Sequence, residues 1–249
     1  MNKIPKSHPR YLSLITREKI SDGLKKGLVH ETGLIAHGRG EAFDYLLDEK
    51  TISFAFDSAK VAAAYLLKAK NPVISINGNV VALVAKECIN LAESIPAKLE
   101  VNLFHRTDER VTRIINELII NGAKRIYGNK ADAKITFLDH DRSLCDKEGI
   151  FSSDVVLVSL EDGDRCKALV NMGKIVIAID LNPLSRTAKE ANVTIVDNVI
   201  RAIPNINEWV NNLKIEDKKY LEKLINSWDN KEMLKNVYTY LSKRLNSIC

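Results

Sequence analysis

The stretch GLIAHGRGEAFDYLLDE, residues 33 to 49, combines residue types that suit the binding of an anion. Gly38 and Gly40 lie on either side of Arg39, and glycine lets a backbone turn or approach a ligand closely because it has no Cβ. The arginine between them carries a planar, permanently charged guanidinium group that matches phosphate or carboxylate. Turns with two glycines are common on protein surfaces, so the pattern only slightly favours an anion-binding Gly-Arg-Gly loop over a plain turn.

Polar residues also follow each of the apolar runs that are typical of buried strands. Ligands of open parallel sheets bind outside the carboxyl ends of the strands, so these positions are candidates for a site. They are Asn77-Gly78-Asn79 after VISI, His105 to Asp108 after EVNLF, Glu161 to Arg165 after VVLVSL, Asp180 to Arg186 after IVIAI, and Asp197-Asn198 after TIV. Any one cluster is more simply a turn or a helix cap. Five clusters at one edge, together with the Gly-Arg-Gly segment, favour a binding site.

Several nucleotide and hydrolase motifs do not occur in the sequence. It has no GxxxxGK[ST] phosphate loop, no GxSxG elbow and no HExxH zinc motif. Gly38-Arg39-Gly40 starts like the dinucleotide motif GxGxxG, but Phe43 occupies the third glycine position and no clear strand precedes it. A nicotinamide-dependent dehydrogenase is therefore disfavoured. Phosphate could instead be held by arginines and helix N-termini.

The carboxylates of Asp162 and Asp164 allow two interpretations of equal weight. They could share a Mg²⁺ ion or hold an ammonium group. They could equally belong to a capped turn at the start of a helix, because aspartate is a preferred N-cap residue. Both interpretations stay open at this point.

Composition indicates a globular protein with a mild preference for small anions. The chain has 249 residues, 45% of them hydrophobic and 28% charged, which is enough to bury a substantial core. The net charge of +5 is spread evenly and no basic run contains interleaved aromatic residues, so we predict no nucleic-acid partner. No apolar stretch reaches the roughly 20 residues that span a bilayer, and the N-terminal residues lack the apolar segment of a secretory signal. We therefore predict no membrane partner and a cytoplasmic location.

The cysteines support a reducing compartment. Cys88, Cys145, Cys166 and Cys249 are far apart and form no CxxC pair. This pattern indicates neither a disulfide framework nor a zinc site.

Apolar runs alternate with helical patterns, which predicts a parallel sheet covered by helices on both faces. The predicted strands are PVISIN, KLEVNLF, DVVLVSL, KIVIAID and VTIV. The predicted helices are residues 11 to 28, about 57 to 70 with Asp57 and Ser58 as caps, NVVALVAKECINLAESI, DERVTRIINELIINGA, and DRCKALVNMG, which ends at Gly173.

Two segments depart from this alternation. Residues 128 to 149 are irregular, which predicts a hairpin or a partner-facing loop. The tail from about residue 206 predicts two or three amphipathic helices. We therefore predict a single α/β domain over residues 1 to 249, with a helical C-terminal extension over about 206 to 249.

Long motifs in this chain resemble one known family. IPKSHPRYLSLITREKI, GLIAHGRGEAFDYLLDE, NPVISINGNV, VSLEDGDR and IDLNPLSRTAKEANVTIVDNVIRA are similar to archaeal phosphopantothenate synthetase, a 4-phosphopantoate–β-alanine ligase. The resemblance covers nearly the whole chain without gaps and is weakest around residues 123 to 149 and after about 206. It implies a homodimeric, Rossmann-like enzyme of coenzyme A biosynthesis that uses ATP and Mg²⁺. Such an enzyme joins 4-phosphopantoate to β-alanine and releases AMP and pyrophosphate.

The resemblance also implies a set of ATP-binding residues. They are Arg17, Arg39, Asp180, Leu181, Asn182, Arg186, Thr187, Asn198 and Val199. The family commonly has serine where this chain has Thr187, and threonine keeps the hydroxyl group. On this assignment Arg39, in the opening stretch, would meet an ATP phosphate.

AMP release implies that the pantoate carboxylate attacks the α-phosphorus to give an acyl-adenylate, which the amine of β-alanine then attacks. Positioning and charge neutralisation dominate such chemistry, so Arg17, Arg39 and Arg186 are the candidates for neutralising charge, with Mg²⁺ on the phosphates, and Arg39 is the catalytic candidate. For phosphopantoate we expect Arg10 and the Asn77-Gly78-Asn79 turn, and Asp162 or water would take the proton of the amine. The rival hypothesis from another class is a non-catalytic nucleotide sensor that uses the same strand-end pocket.

Overall fold

The computed structural model describes residues 4–247, and its centre is a sheet of six parallel strands. Cys249 and the first three residues of the N-terminal segment discussed above lie outside the described residues. The strands are β1 (Pro72–Ile76), β2 (Lys98–Val101), β3 (Ile126–Tyr127), β4 (Ala133–Lys134), β5 (Leu144–Cys145), β6 (Val155–Ser159), β7 (Ile175–Ile179) and β8 (Val193–Ile195). Strands β4 and β5 form a separate antiparallel hairpin.

The spatial order of the strands identifies the topology. It is β3-β2-β1-β6-β7-β8, and all neighbouring pairs are parallel. Numbered along the chain within the main sheet, this is the 3-2-1-4-5-6 order of the doubly wound Rossmann fold. The direction of winding changes between β1 and β6, so a crevice forms there at the carboxyl ends of the strands. The predicted parallel α/β sheet is confirmed.

Helices flank the sheet on both faces. They are α1 (Tyr11–Lys25), α2 (Glu31–Leu46), α3 (Ser53–Lys68), α4 (Gly78–Ser94), α5 (Asp108–Ile120), α6 (Gly163–Asn171), α7 (Arg186–Glu190), α8 (Val199–Leu213), α9 (Lys218–Asn226) and α10 (Asn230–Asn246). Gly173 follows α6 with a φ of 79°, as expected of a glycine just beyond a helix end. No helix within residues 4–247 is long and apolar enough to cross a membrane.

Alternate residues of each strand pack into two separate apolar clusters. Ile74, Leu157 and Ile177 belong to the larger cluster, which includes residues of α3, α4, α5 and α8. Val73 and Val156 point the other way and pack with α6 and with residues around the β4–β5 hairpin. Because side chains alternate across a strand, this arrangement favours apolar residues at most positions, as the sequences of β1, β6 and β7 have.

The GLIAHGRG segment is helical, so the prediction of a Gly-Arg-Gly loop is wrong. Gly38 and Gly40 lie inside α2, whose N-cap is His30, and the imidazole of His30 accepts a hydrogen bond from the Thr32 N–H at 3.2 Å. Neither of these two glycines therefore makes a turn. A Cβ at Gly40 would lie 3.5 Å from Leu181, and a Cβ at Gly33 would collide with the Asn79 side chain. Small residues therefore let α2 lie close to the edge of the sheet.

Two helix starts also differ from prediction. Helix α3 begins at Ser53, so Asp57 and Ser58 lie within it and do not cap it. The Asp57 side chain is exposed to solvent, and the Ser58 hydroxyl donates to the Phe54 carbonyl at 2.8 Å. Aspartate and serine are accommodated inside helices in these two ways. Helix α8 begins at Val199, earlier than residue 206, because Asn198 caps it immediately after β8. Pro204 is tolerated inside this helix.

The irregular segment is held to the sheet by a buried carboxyl group. Strands β4 and β5 confirm the hairpin that was one of the two predictions for residues 128 to 149. Glu100 on β2 is fully buried and accepts hydrogen bonds from the N–H groups of Asp146 and Ile150. Burial raises the pKa of Glu100 to about 7. A Cβ at Gly149 would collide with this carboxyl group, so that position needs glycine.

The helical setting of Gly38 generates a paired prediction. A Cβ at Gly38 would meet nothing within 4 Å, so Gly38→Ala should raise the free energy of unfolding by about 0.5–1 kcal/mol. A Cβ at Gly78 would collide with the Leu28 carbonyl oxygen, so Gly78→Ala should lower it by about 1–3 kcal/mol. Guanidinium unfolding monitored by circular dichroism measures both changes. A destabilised Gly38→Ala variant would contradict the helical assignment of this segment.

Candidate functional site

A cavity of about 300 Å³ lies at the point where the winding of the sheet reverses. We call it the switch-point cavity. It is lined by the residues that follow β1 and β6, namely Asn77-Gly78-Asn79 and Leu160-Glu161-Asp162, and by part of α2. The Asn77 side chain donates to the Ser159 carbonyl at 2.7 Å and so ties the two strand ends together. Leu160 has a φ of 51°, a strained value for leucine that is typical of functional turns.

Three further cavities extend from the switch-point cavity beneath α2. The strand-end cavity, of about 110 Å³, is lined by Asp180, Leu181 and Asn182. A middle cavity of about 20 Å³ is lined by Leu181, Asn198 and Val199. The amino-terminal cavity, of about 280 Å³, includes residues 8–13 and Arg201. One face of α2 contributes to these cavities, through residues spaced three or four apart: Gly33, Ala36, His37, Gly40, Glu41 and Asp44.

Arg39 is shared by two of the cavities. It lines both the switch-point cavity and the strand-end cavity, and its side chain is exposed. Its charge acts on the carboxyl group of Asp180, whose pKa is raised by burial against the opposing effect of Arg39. Arg39 is therefore placed to neutralise a negative charge that develops where the two cavities meet.

Arg110 of α5 is the second cation that lines the switch-point cavity, and its guanidinium group lies beside the N-terminus of α4. The Arg110 guanidinium donates to the carbonyl oxygens of Leu28 at 3.1 Å and His105 at 2.8 Å. Within residues 4–247 it has no carboxylate partner, so its charge is available to a ligand. His105 stacks on His30 with ring centroids 3.9 Å apart, and both line the cavity. A helix N-terminus beside a free guanidinium group is a favourable site for phosphate.

Glu161 lies between two buried arginines. Its carboxylate contacts Arg142 Nη1 at 2.7 Å and also pairs with Arg165, and the three side chains are at most 5% exposed. Arg142 in turn donates from Nε to the side-chain oxygen of Asn102 at 3.2 Å, and Arg165 donates to the Ser75 hydroxyl at 3.2 Å. Burial lowers the pKa of Arg142 while the Glu161 charge raises it. The triad fixes the turn after β6 at the wall of the cavity.

Asp162 has two contacts that bear on its predicted roles. It caps α6 by accepting a hydrogen bond from the Asp164 N–H at 3.1 Å, and its Oδ2 lies 2.8 Å from His140 Nε2. Asp164 pairs with Arg186 instead of facing Asp162. The structure thus shows the capped turn. Within residues 4–247 there is no group of three or more His, Cys, Asp or Glu side chains that could hold a metal.

The turn after β7 is closed by its own side chains. Asp180 accepts hydrogen bonds from the Asn182 N–H at 2.9 Å and the Ser185 hydroxyl at 2.5 Å. Ser185 caps α7 and Asn198 caps α8. The capping interpretation therefore holds for the clusters after β1, β2, β6, β7 and β8, and it coexists with the cavities at the same edge.

The predicted residues Arg10, Arg17, Arg186 and Thr187 line neither the switch-point cavity nor the strand-end cavity. Arg10 lines the amino-terminal cavity, where it contacts Glu41 at 3.0 Å and Glu49 at 3.3 Å. It is therefore not brought together with the Asn77-Gly78-Asn79 turn. Arg17 also contacts Glu41, at 2.8 Å, Arg186 is an exposed residue paired with Asp164, and the buried Thr187 hydroxyl donates to the Glu161 carbonyl at 2.9 Å.

Sequence reasoning missed Arg110 and Arg142 as residues of the site. Arg110 lies one turn into α5, and its position after β2, just beyond the His105 to Asp108 cluster, was the available signal. Arg142 lies in the irregular segment, and its proximity to Glu161 depends on long-range packing that no local pattern reveals.

The fold and the cavities define a Rossmann-like α/β protein with a candidate ligand site at the carboxyl edge of its sheet. The model of the phosphopantothenate/pantothenate synthetase family matches residues 54–244. The chain belongs to this family, which confirms the resemblance seen in the sequence.

Relatives named 4-phosphopantoate–β-alanine ligase align with the chain over most of its length. That of Thermococcus onnurineus is 51% identical over 249 residues, which are 100% of this chain and 95% of the relative. That of Methanosarcina mazei is 50% identical over 248 residues, covering 100% and 98%. That of Methanospirillum hungatei is 57% identical over 203 residues, covering 82% and 83%.

The buried triad predicts an asymmetry between two glutamate substitutions. Glu161→Gln should lower the free energy of unfolding by about 3–5 kcal/mol, because it leaves two buried guanidinium groups without their counter-charge. Glu109→Gln is the control, since Glu109 forms an exposed pair with Arg113 on α5 and should change stability by less than about 1 kcal/mol. Chemical denaturation of both variants measures the difference. Equal effects would mean that the triad does not stabilise the site.

Proposed function

We propose that the chain is an ATP-dependent 4-phosphopantoate–β-alanine ligase that forms 4′-phosphopantothenate in coenzyme A biosynthesis. The observation that carries this proposal is an identity of about half over the whole chain with relatives of that name. The cavities at the carboxyl edge of the sheet support it, because they offer adjoining places for two phosphorylated substrates.

The positions of the cationic groups decide which cavity we assign to which substrate. We assign 4-phosphopantoate to the switch-point cavity, with its phosphate beside Arg110 and the N-terminus of α4. Asn77, Gly78 and Asn79 stay in this assignment, whereas Arg110 replaces Arg10 as its cation. The nucleotide occupies the strand-end cavity, with ribose or adenine near Asp180, Leu181 and Asn182. It extends into the middle and amino-terminal cavities, which together with the strand-end cavity form a groove beneath α2.

The other ATP contacts implied by the resemblance complete this assignment as proposals. Asn198 and Val199 line the middle cavity. Arg17 lies next to this cavity, because it pairs with Glu41, which also lines it. Arg186 and Thr187 begin α7 at the same edge of the sheet. Arg186 is the more adaptable of the two, because its side chain is 67% exposed and can leave Asp164 for a phosphate.

The proposed reaction has two steps. A carboxylate oxygen of phosphopantoate attacks the α-phosphorus of ATP, the bond to the β-phosphate breaks, and pyrophosphate leaves. The amine of β-alanine then attacks the acyl carbon of the adenylate, AMP leaves with the bridging oxygen, and the amine nitrogen loses a proton. Arg39, between the two cavities, stabilises charge in the first step. Asp162, at the switch-point cavity beside His140, is the proposed proton acceptor in the second.

ATP enters this reaction as its magnesium complex, and the metal adds charge neutralisation on the phosphates. Mg²⁺ bound to a nucleotide is held largely by phosphate oxygens and water, with one or two carboxylates at most. We propose further, from the family resemblance, that the enzyme is a cytoplasmic homodimer.

Product analysis tests the function and the route together. Protein incubated with ATP, 4-phosphopantoate and β-alanine should give 4′-phosphopantothenate and an equal amount of AMP. With phosphopantoate labelled by oxygen-18 in its carboxylate, one label should appear in AMP, because the bridging oxygen leaves with the nucleotide. Label in inorganic phosphate, with ADP as product, would replace the adenylate by an acyl phosphate. ATP binding without any product would favour the nucleotide sensor.

Substitution of Arg39 tests the proposed charge stabilisation. Arg39→Ala should lower kcat/KM by on the order of 100-fold, as expected when a preorganised charged donor is lost. Its stability should hardly change, since the side chain is exposed. Arg125→Ala is the matched control, because Arg125 is 72% exposed and its contacts with Glu148 and the Tyr127 ring lie outside these cavities. Steady-state kinetics and thermal unfolding of both variants suffice, and normal turnover of Arg39→Ala would remove this residue from the mechanism.

A further inference from the structure

His37 has a position in the groove that neither the sequence motifs nor the comparisons assign to a ligand. It lies on the face of α2 that lines the cavities, one turn before Glu41. Its side chain contributes to both the middle cavity and the amino-terminal cavity and so separates them. Asn198 lines the same two cavities from the opposite side.

The Nε2 atom of His37 is buried and has no hydrogen-bond partner within residues 4–247. The great majority of buried side-chain polar atoms are hydrogen-bonded, because an unsatisfied one has lost its hydrogen bonds to water without replacing them. An unsatisfied nitrogen in the wall of a cavity is therefore a group that a ligand can satisfy. The neighbouring polar side chain of Asn198 is already used, since it donates to Asp44 at 2.9 Å and caps α8.

The surroundings of His37 favour an anionic ligand and a neutral imidazole. Burial lowers the pKa of His37, the charge of Arg17 lowers it further, and only the carboxylates of Glu41 and Asp44 oppose this. A neutral imidazole carries one N–H donor and one acceptor nitrogen. The N-terminus of α8, a helix of 15 residues, lines the middle cavity, and its helix dipole attracts negative charge although the Ile200 N–H is already bonded to the Asn198 side chain.

We propose that His37 is a nucleotide-binding residue whose Nε2–H donates a hydrogen bond to a phosphate oxygen of ATP. This inference rests on the proposed function, because it requires ATP to occupy the groove beneath α2. It adds a neutral donor to a site that otherwise relies on arginines and helix N-termini. A neutral donor binds a phosphate oxygen without disturbing the pair that Arg17 forms with Glu41 nearby.

Three substitutions of His37 separate hydrogen bonding from packing. In His37→Gln the amide nitrogen takes the place of Nε2, whereas in His37→Asn it takes the place of Nδ1, and His37→Leu has no donor. Isothermal titration calorimetry with ATP should give Kd values within about threefold of the native protein for Gln. It should give values on the order of 10-fold or more higher for Asn and Leu, since a hydrogen bond to a charged group contributes about 1.5–3 kcal/mol.

Nucleotide analogues locate the contact on the ligand. The loss of affinity in His37→Asn should appear with ATP and be absent with adenosine, which has no phosphate. The same loss with adenosine, equal losses in all three variants, or no loss in any of them would each overturn the proposal. Ile35→Ala is the control for general effects on α2, because Ile35 is 72% exposed on another face of the helix and should bind ATP normally.

The same titrations separate this inference from the function on which it rests. A native protein that binds no ATP would contradict the proposed function and this inference with it. A native protein that binds ATP, with variants that bind equally well, would contradict the inference alone. If His37→Leu does not fold, the comparison of Gln with Asn still decides, because both are polar and differ by one methylene group.

Discussion

The site depends on one buried charge, the carboxylate of Glu161, and on the two arginines that neutralise it. Arg165 belongs to α6, which directly follows the turn that contains Glu161, while Arg142 belongs to the irregular segment that follows β3. The carboxylate therefore joins the strand end at the switch point to a segment that otherwise has little regular structure. Because an unpaired buried charge is costly, the correct arrangement of all three elements is strongly favoured over alternatives. Asn102 reinforces it, because its side-chain oxygen accepts a hydrogen bond from Arg142 Nε and its side-chain amide donates one to the backbone carbonyl of Arg142.

The second requirement is that α2 lies close to the carboxyl edge of the sheet. Gly33, Ala36 and Gly40 provide the small surface that allows this approach, and a side chain at Gly33 would displace Asn79 from its hydrogen bond to the Gly33 carbonyl. Glycine normally weakens a helix interior, so α2 gives up some intrinsic stability for this approach. The helix is then held at its far end by the ion pairs of Asp44 with Arg201 and of Glu41 with Arg10 and Arg17. Packing at one end and charge at the other together fix the groove.

The sequence predicted the sheet well because the strands are buried on both faces, and such strands are short continuous apolar runs. PVISI and DVVLVSL are examples, and the polar residues after them were correctly expected at one edge. The Gly-Arg-Gly segment was misjudged because glycine favours turns locally, while here both glycines lie inside α2. Arg110 and Arg142 could not be found from local patterns, since their relation to the cavity depends on which distant carbonyl and carboxylate groups they meet. Local chemistry thus predicted which edge of the sheet carries the cavities, and long-range packing determined which cations line them.

The arginines of the edge fall into two groups, and the difference has chemical consequences. Arg142 and Arg165 are buried and bound to Glu161, so their charge is spent on structure. Arg110 is fixed only by carbonyl groups and Arg39 extends from an exposed face of α2, so both retain charge for a ligand. A rigid cation suits a phosphate that stays bound throughout the reaction, because it needs no reorganisation. A more exposed cation suits a phosphate whose charge and position change during the reaction. The positions of Arg110 at the helix N-terminus and of Arg39 between two cavities match this division.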